Sequence, residues 1–495
     1  MSPSSLGKKL QRARNSLKEG DFVEALNIYA TLAKDFPLVL GEYGAAAAES
    51  GDFDLADKLW EKVRSLNAKD VRVLFWLASQ YGSLGMHSKS RALFAEAANL
   101  EPRNLEAQSN LAAFLARTKS VAEARPAVDR CLELDAKNEQ ARFLAAHLDR
   151  RENKLAEAER QFGDLIASGL KGPEIRYSCY VESAQILEKT GRFDEAMTRL
   201  QEGKSLGLQM QGLRSDWKAA FRRPEEEVNR VKAFPKNILE SWGEAFPSKA
   251  RNAAPPLAFL TGSSRSGTTL LERIMDAHPA VAACDEPMVF KKIQRRVDMA
   301  APSVPAQRLN VLRELYGKSV SVILGMPSAG KTLLDKNPGR TVWLPAFLRA
   351  FPDLRVLIAL RDPRDVIISL YFQDHTNTNL LTLEQLAYYY SLVMDAWLAV
   401  REWEGLAWME TRYEDVVVDL EREGRRVTDF LGLQWHENQA RYYEHNLEKP
   451  VLSNNTDSIM KPVYKGAMGR WRAYEKYLAP VLRMLEPYCR KFGYE

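Results

Sequence analysis

Cysteine is scarce: Cys131, Cys179, Cys284 and Cys489 are the only four in 495 residues, with no CxxC and no Cys/His cluster. Neither a disulfide framework nor a structural zinc site is expected, and a reducing compartment is the default. No run of eighteen apolar residues occurs, and the opening MSPSSLGKKLQRARNSLKEGDF has no apolar stretch of signal-peptide length. A protein with no membrane span, cytoplasmic in location, is therefore expected. Charge of one sign is not in large excess either. Lys plus Arg is 70 against Asp plus Glu at 65, a net +5, which argues against a nucleic-acid partner while leaving room for local basic pockets. With 45% hydrophobic and 27% charged residues, the composition is that of folded globular protein. At roughly 150 residues per domain, the length predicts two to four domains.

What is there begins with repetition. Gly20-Asp21-Phe22 with Ala25 and Tyr29 returns as Gly51-Asp52-Phe53 with Ala56 and Trp60, and again as Gly191-Arg192-Phe193 with Ala196 and Leu200. Between these copies, Trp60, Phe94, Val128 and Phe162 stand 34 residues apart, and so do Ala56, Ser90, Ala124 and Ala158. A small residue four positions before a large apolar one suits paired antiparallel helices: the small one permits close approach and the large one fills the gap to the next pair. Pro37, Pro102 and Pro173 fall between units, where helices stop. The pattern resembles the tetratricopeptide repeat over about Ser5 to Leu206, as roughly six units. That resemblance implies an α solenoid with a concave surface for a peptide or protein, or a scaffold or dimerisation arm. Residues 5–206 are read as the array, 207–253 as a helical linker ending in the hinge Arg251–Pro256, and 254–495 as a second domain.

That second domain opens on Leu257-Ala258-Phe259-Leu260-Thr261, a buried-strand pattern, then Gly262-Ser263-Ser264-Arg265-Ser266-Gly267-Thr268-Thr269 and the helical LLERIMDAHP. Strand, glycine-bounded polar loop and helix form an anion site, because the helix N-terminus offers free N–H groups and Gly267 lets backbone approach the anion. Thr268 and Thr269 add hydroxyls, and Arg265 adds a charged fork. The loop is neither a G-x-S-x-G nucleophile elbow nor a Gly-Lys-Ser/Thr nucleotide loop. About ninety residues on, the strand pattern Leu354–Leu360 ends in Arg361-Asp362-Pro363-Arg364-Asp365 and a helix carrying Ser369, so Arg361 and Ser369 could face one ligand at a strand's carboxyl end.

The loop SSRSGTTLLERIMDAHP, the segments CDEP and LLDKNP, and RVLIALRDPRDVIISLYF together resemble sulfotransferases that use 3′-phosphoadenosine 5′-phosphosulfate (PAPS). The resemblance covers about 240 residues and is nearest the tyrosylprotein sulfotransferase branch and its bacterial relatives with N-terminal repeats. It implies an α/β P-loop-like domain with a central parallel sheet and sulfuryl transfer to a hydroxyl, most readily a peptide or protein tyrosine recruited by the repeats. It also implies that Arg265, Ser266, Gly267, Thr268 and Thr269 hold the 5′-phosphosulfate and that Arg361 and Ser369 hold the 3′-phosphate. Tyr413, the Asn455 region and Arg470 would lie about the nucleotide. Glu286 would be the base and Lys336, with Arg265, the charge that steadies the moving group, with no metal required. The residue types suit that chemistry: a phenol of pKa near 10 needs a proton acceptor, and spread negative charge needs cations.

Several readings stay open. Ser264 stands where the family usually has proline, and Met288 where the tyrosine branch has an arginine, before the basic run Lys291, Lys292, Arg295, Arg296. A carbohydrate, a lipid or a small phenol is thus an alternative acceptor. His278 is a rival base, better placed as a structural residue before Pro279. Gly325-Met326-Pro327-Ser328-Ala329-Gly330-Lys331-Thr332 is a literal nucleotide-triphosphate loop after a strand-like SVSVIL. It offers an ATP-dependent kinase or ATPase, although Pro338 leaves little room for the helix that must follow.

Overall fold

The computed structural model describes residues 3–118, 121–212, 217–244, 256–293, 297, 304–326, 330–375, 378, 380–445, 462–463 and 465–494. The first part is twelve helices, from Pro3–Glu19 to Phe193–Met210, packed as consecutive antiparallel pairs. The rows of the repeat do what their sizes dictate. Ala56, Ser90, Ala124 and Ala158 are fully buried, as are Trp60, Val128 and Phe162. The crossing in the second pair is so close that a Cβ on Gly44 would lie 2.4 Å from Trp60 Nε1. Turns between paired helices need a left-handed residue, supplied by Gly20, Gly51, Gly85 and Gly191, and by Asn153 in the fifth pair. Asp21 and Asp52 then cap the next helix through the N–H groups of Glu24 and Leu55.

Beyond the short helices Arg222–Ala233 and Ile238–Glu244 stands a sheet of five strands: β1 (Leu257–Gly262), β2 (Val281–Asp285), β3 (Thr332–Lys336), β4 (Arg355–Leu360) and β5 (Ala407–Arg412). Their order is β2-β3-β1-β4-β5, and every pairing is parallel. Helices cover both faces, so β1, β3 and β4 are almost wholly buried; β1 and β4 are largely apolar, while β3 ends in the buried Asp335 and Lys336. Because all strands point one way, their carboxyl ends open on a single edge. Because β2 and β3 lie on one side of β1 and β4 and β5 on the other, β1 marks the switch point where such sheets bind ligands.

SVSVIL, strand-like in sequence, is the last part of the helix Ala306–Leu324. A short apolar run has no period of its own to decide between strand and helix, and here the amphipathic helix begun at Ala306 continues through it. One apolar core runs from Ala47 in the second helix pair to Tyr494, taking in both faces of the boundary between array and sheet domain. Among the described residues, no helix is long and apolar enough to cross a membrane.

Candidate functional site

The carboxyl end of β1 turns sharply. Gly262 has φ 122°, and a Cβ there would lie 2.4 Å from Ala359 O of β4. Arg265 is left-handed at φ 72°, and Gly267 at φ 92° starts the helix Thr268–Asp276 without any side-chain cap. The turn is closed internally by Ser266, whose Oγ donates to Ser263 O at 2.6 Å. The helix thus presents its first N–H groups toward the turn, with partial positive charge behind them. A side chain at 267 is excluded, since its Cβ would stand 2.7 Å from Tyr413 Cδ2.

Two of the expected residues meet on Arg265. Its Nε donates to Ser369 Oγ at 3.0 Å, and Arg361 donates to its carbonyl oxygen at 3.2 Å. The Arg361 guanidinium lies over the Tyr413 ring at 4.9 Å. Burial, then the charges of Arg361 and Arg470, press the Arg265 guanidinium down to about 10. Arg361 also donates to Ala467 O at 2.5 Å, yet its buried Nε finds no hydrogen-bond partner among the described residues. Crowded guanidinium groups, a buried N–H without an acceptor and an uncapped helix all call for an anion.

One strand along, the second half of the site is a lysine between two acids. Asp285 and Lys336 share a register position on β2 and β3, so the Lys336 ammonium contacts Asp285 and also lies 3.0 Å from Glu286 Oε1. Lys336 is buried; burial works against its charge, but the Asp285 and Glu286 carboxylates outweigh that and hold its pKa above the ordinary value. Glu286 sits at φ 50° and donates its backbone N–H to Lys336 O at 2.8 Å. Its side chain is 49% exposed, and among the described residues Oε2 has no hydrogen-bond partner. Beneath, Asp335 accepts from Tyr316 OH at 2.7 Å, and burial raises its carboxyl to about 7.

The rival assignments resolve geometrically. His278 Nδ1 accepts from Ala280 N at 3.0 Å, so Nε2 carries the proton that goes to Gln434 O at 2.8 Å; both ring nitrogens are used in structure. Gly325 ends a helix and Thr332 begins β3, with Lys331 between them. That is helix, loop and strand, the reverse of what a triphosphate loop requires, and the kinase reading fails there. Arg470 is present near Arg265 but forked onto Glu188 of the array at 2.5 and 2.6 Å. Asn455, with Ser453 and Ser458, lies outside the described residues, as do Gln294, Arg295 and Arg296 of the basic run.

Sequence reasoning missed Asp285, Glu188 and Tyr389. Asp285 stood beside Glu286 in the CDEP segment, and only strand register shows that it faces the lysine. Tyr389 donates to Gly339 O at 3.3 Å and stands within electrostatic reach of both Arg340 and Glu286.

Residues 256–437 match the model of the Sulfotransferase family. An uncharacterized protein of Aquifex aeolicus is 25% identical over 325 residues, 62% of this chain and 41% of its own length. Protein-tyrosine sulfotransferase A of Caenorhabditis elegans is 25% identical over 266 residues, 49% of this chain and 68% of its own. A tetratricopeptide repeat protein of Parabacteroides merdae, a solved structure, aligns at 20% identity over 48% of this chain and 96% of its own, with a TM-score of 0.35. The chain thus spans about two fifths of the Aquifex protein and about two thirds of the worm enzyme. The family match and these relatives fit a sulfotransferase domain carried behind a tetratricopeptide-like array.

Proposed function

We propose that this chain transfers a sulfuryl group from PAPS to an acceptor hydroxyl, and that the acceptor is a tyrosine of a peptide or protein. The observation that carries the reading is the convergence, on one sheet edge, of the Arg265–Arg361 cluster with the Lys336–Glu286 pair. When bound, the nucleotide supplies an activated sulfuryl group on its 5′-phosphate. The residues fit such a ligand: the uncapped helix and the hydroxyls of Ser266, Thr268 and Thr269 suit its 5′-end, and Arg361 with Ser369 suits a second phosphate. Arg470 and Tyr413 border the same space.

The chain's own part is electrostatic and positional. Lys336 is buried and charged, beside the acid that would take the acceptor's proton. Glu286 offers an open carboxylate oxygen at a half-exposed position, the requirement for a base that must meet an incoming phenol. Tyrosine is preferred over other hydroxyls because the worm relative is named as a protein-tyrosine enzyme and because a phenol gives up its proton to a carboxylate more readily than an alcohol does. A peptide acceptor also gives the array a use. Cytoplasmic residence belongs to the same proposal, as do recruitment of substrate by the array and its use as a homodimer surface.

The test is thermal unfolding with adenosine 3′,5′-bisphosphate, beside ATP with magnesium. A ligand at a hundred times its dissociation constant stabilises by about 2.7 kcal/mol. A shift with the bisphosphate that needs no magnesium and disappears in Arg361→Ala is expected. No shift at saturating bisphosphate refutes the donor assignment, and an acidic tyrosine peptide left unsulfated by PAPS-loaded enzyme refutes the acceptor.

A further inference from the structure

The residues assigned to the nucleotide are not held by the sheet domain alone. Ser369 lies near the end of the helix Pro363–Tyr371, and each of the four residues that follow the helix, Phe372 to His375, is gripped by the sixth helix pair of the array. Gln185 donates to Phe372 O at 3.0 Å and Lys204 donates to Gln373 O at 2.7 Å. Ser178 donates to an Asp374 carboxylate oxygen at 2.5 Å, and Tyr177 OH accepts from His375 N at 3.3 Å.

Arg470 is held by the same pair. Glu188 receives Arg470 Nε and Nη2 in a fork and Tyr474 OH at 3.1 Å, while the guanidinium lies over the Phe372 ring at 4.5 Å. Such a fork fixes the plane of the guanidinium as well as its position. The Glu188 and Arg470 side chains are each 20% exposed, so the pair is largely withdrawn from water. Two donors of five are spent on Glu188, and among the described residues no acceptor takes the two protons of Nη1. Asp365 takes the N–H groups of Gly469 and Trp471, each at 2.8 Å, which orders the backbone on either side of Arg470. Among the described residues, Glu188 is the hydrogen-bond partner that orders its side chain, with the Phe372 ring against the guanidinium.

We infer that the sixth helix pair is part of the nucleotide site, with Glu188 a positioning residue that holds Arg470 ready for the anionic nucleotide. This inference rests on the donor assignment of the proposed function. It gives the array a part in binding the donor, separate from any recruitment of acceptor.

The experiment is isothermal titration of the full chain with adenosine 3′,5′-bisphosphate, paired with acceptor kinetics. Glu188→Gln keeps the shape and removes the charge; it should weaken the bisphosphate at least fivefold, with the KM for acceptor unchanged and part of the affinity recovered in Glu188→Asp. Arg470→Ala should weaken binding comparably, and the double variant no further than Arg470→Ala, because Glu188 acts through that arginine. Asp194 gives the control: it pairs with Lys476 and Tyr477 across the same boundary, each at 2.9 Å, but touches no proposed nucleotide residue. Asp194→Asn should bind as the wild type does. Wild-type affinity in Glu188→Gln, or equal weakening in Asp194→Asn, overturns the inference while leaving the donor assignment standing. A wild-type chain that ignores the bisphosphate removes both.

Discussion

Lys204 gives the sharpest physical test of how array and sheet domain are joined. Its ammonium donates to Tyr177 OH at 2.8 Å and to Gln373 O at 2.7 Å, between the rings of Tyr177 and Tyr371. The side chain is almost fully buried at 3% exposure, and that burial lowers the amine to about 7, with Asp374 pulling the other way. His375, the other ionisable neighbour, is itself held neutral by burial, down to about 4. A lysine whose folded pKa lies below its unfolded value of 10.5 binds fewer protons when folded. Its contribution to stability is therefore complete above the unfolded pKa and lost as pH falls through about 7. Between pH 7 and pH 9 the folded form gains about 2 kcal/mol from this one group, since each pH unit of full difference is worth about 1.4 kcal/mol. Lys204→Met removes the titration and keeps most of the volume. Urea unfolding of both chains at pH 7, 8 and 9 should show the wild type gaining about 2 kcal/mol relative to Lys204→Met. Parallel curves would refute the reasoning: they would mean that the two hydrogen bonds and the aromatic rings hold the ammonium charged throughout, and that desolvation is not the winning effect.

Further outcomes follow from the site and the repeats. Lys336→Ala should lower kcat by about two to three orders of magnitude, as expected for removal of a preorganised charge, and should destabilise by about 3 kcal/mol in urea, because the buried Lys336–Asp285 ion pair is broken. Glu286→Gln should leave the Kd for adenosine 3′,5′-bisphosphate within twofold while reducing tyrosine-peptide turnover by about two orders of magnitude; retained turnover shows that another group takes the proton. In Gly267→Ala the new methyl meets Tyr413 at 2.7 Å from a left-handed backbone, and titration should show nucleotide affinity lost by more than tenfold. Gly44→Ala, far from the site, should lower stability by about 1–3 kcal/mol through its collision with Trp60, with kcat unchanged in the same preparation.

Much of this was legible from sequence where short-range rules apply. The 34-residue rows declared the helix pairs, because packing between neighbours repeats the same contact. The loop from Gly262 to Thr269 declared itself because strand, left-handed glycine and helix start are consecutive. Arg361, Ser369, Lys336 and Glu286 were findable for a related reason, since each lies within nine residues of a strand's carboxyl end and parallel strands bring those ends together. The unread part is long-range. Nothing local pairs Glu188 with Arg470, 282 positions apart, and nothing in the CDEP segment says that Asp285 shares a register position with Lys336. SVSVIL was misread because a six-residue stretch with four apolar residues fits either state until the helix that precedes it is included.

The wide sequence separations across the boundary set an order of events. Helix pairs stack on their neighbours and can form as they emerge, whereas Ser319 must meet Gly51 and Phe53, and Arg470 must meet Glu188, 266 to 282 residues later. At synthesis rates of roughly 5–20 residues per second, that interval is on the order of 15–60 s. Until Gln373 and Leu381 emerge, the newborn array displays Tyr177, Gly207 and their apolar neighbours with no counterpart to cover them. Nascent chains halted before Tyr371 should therefore carry a chaperone-binding surface that disappears once Leu381 has left the ribosome.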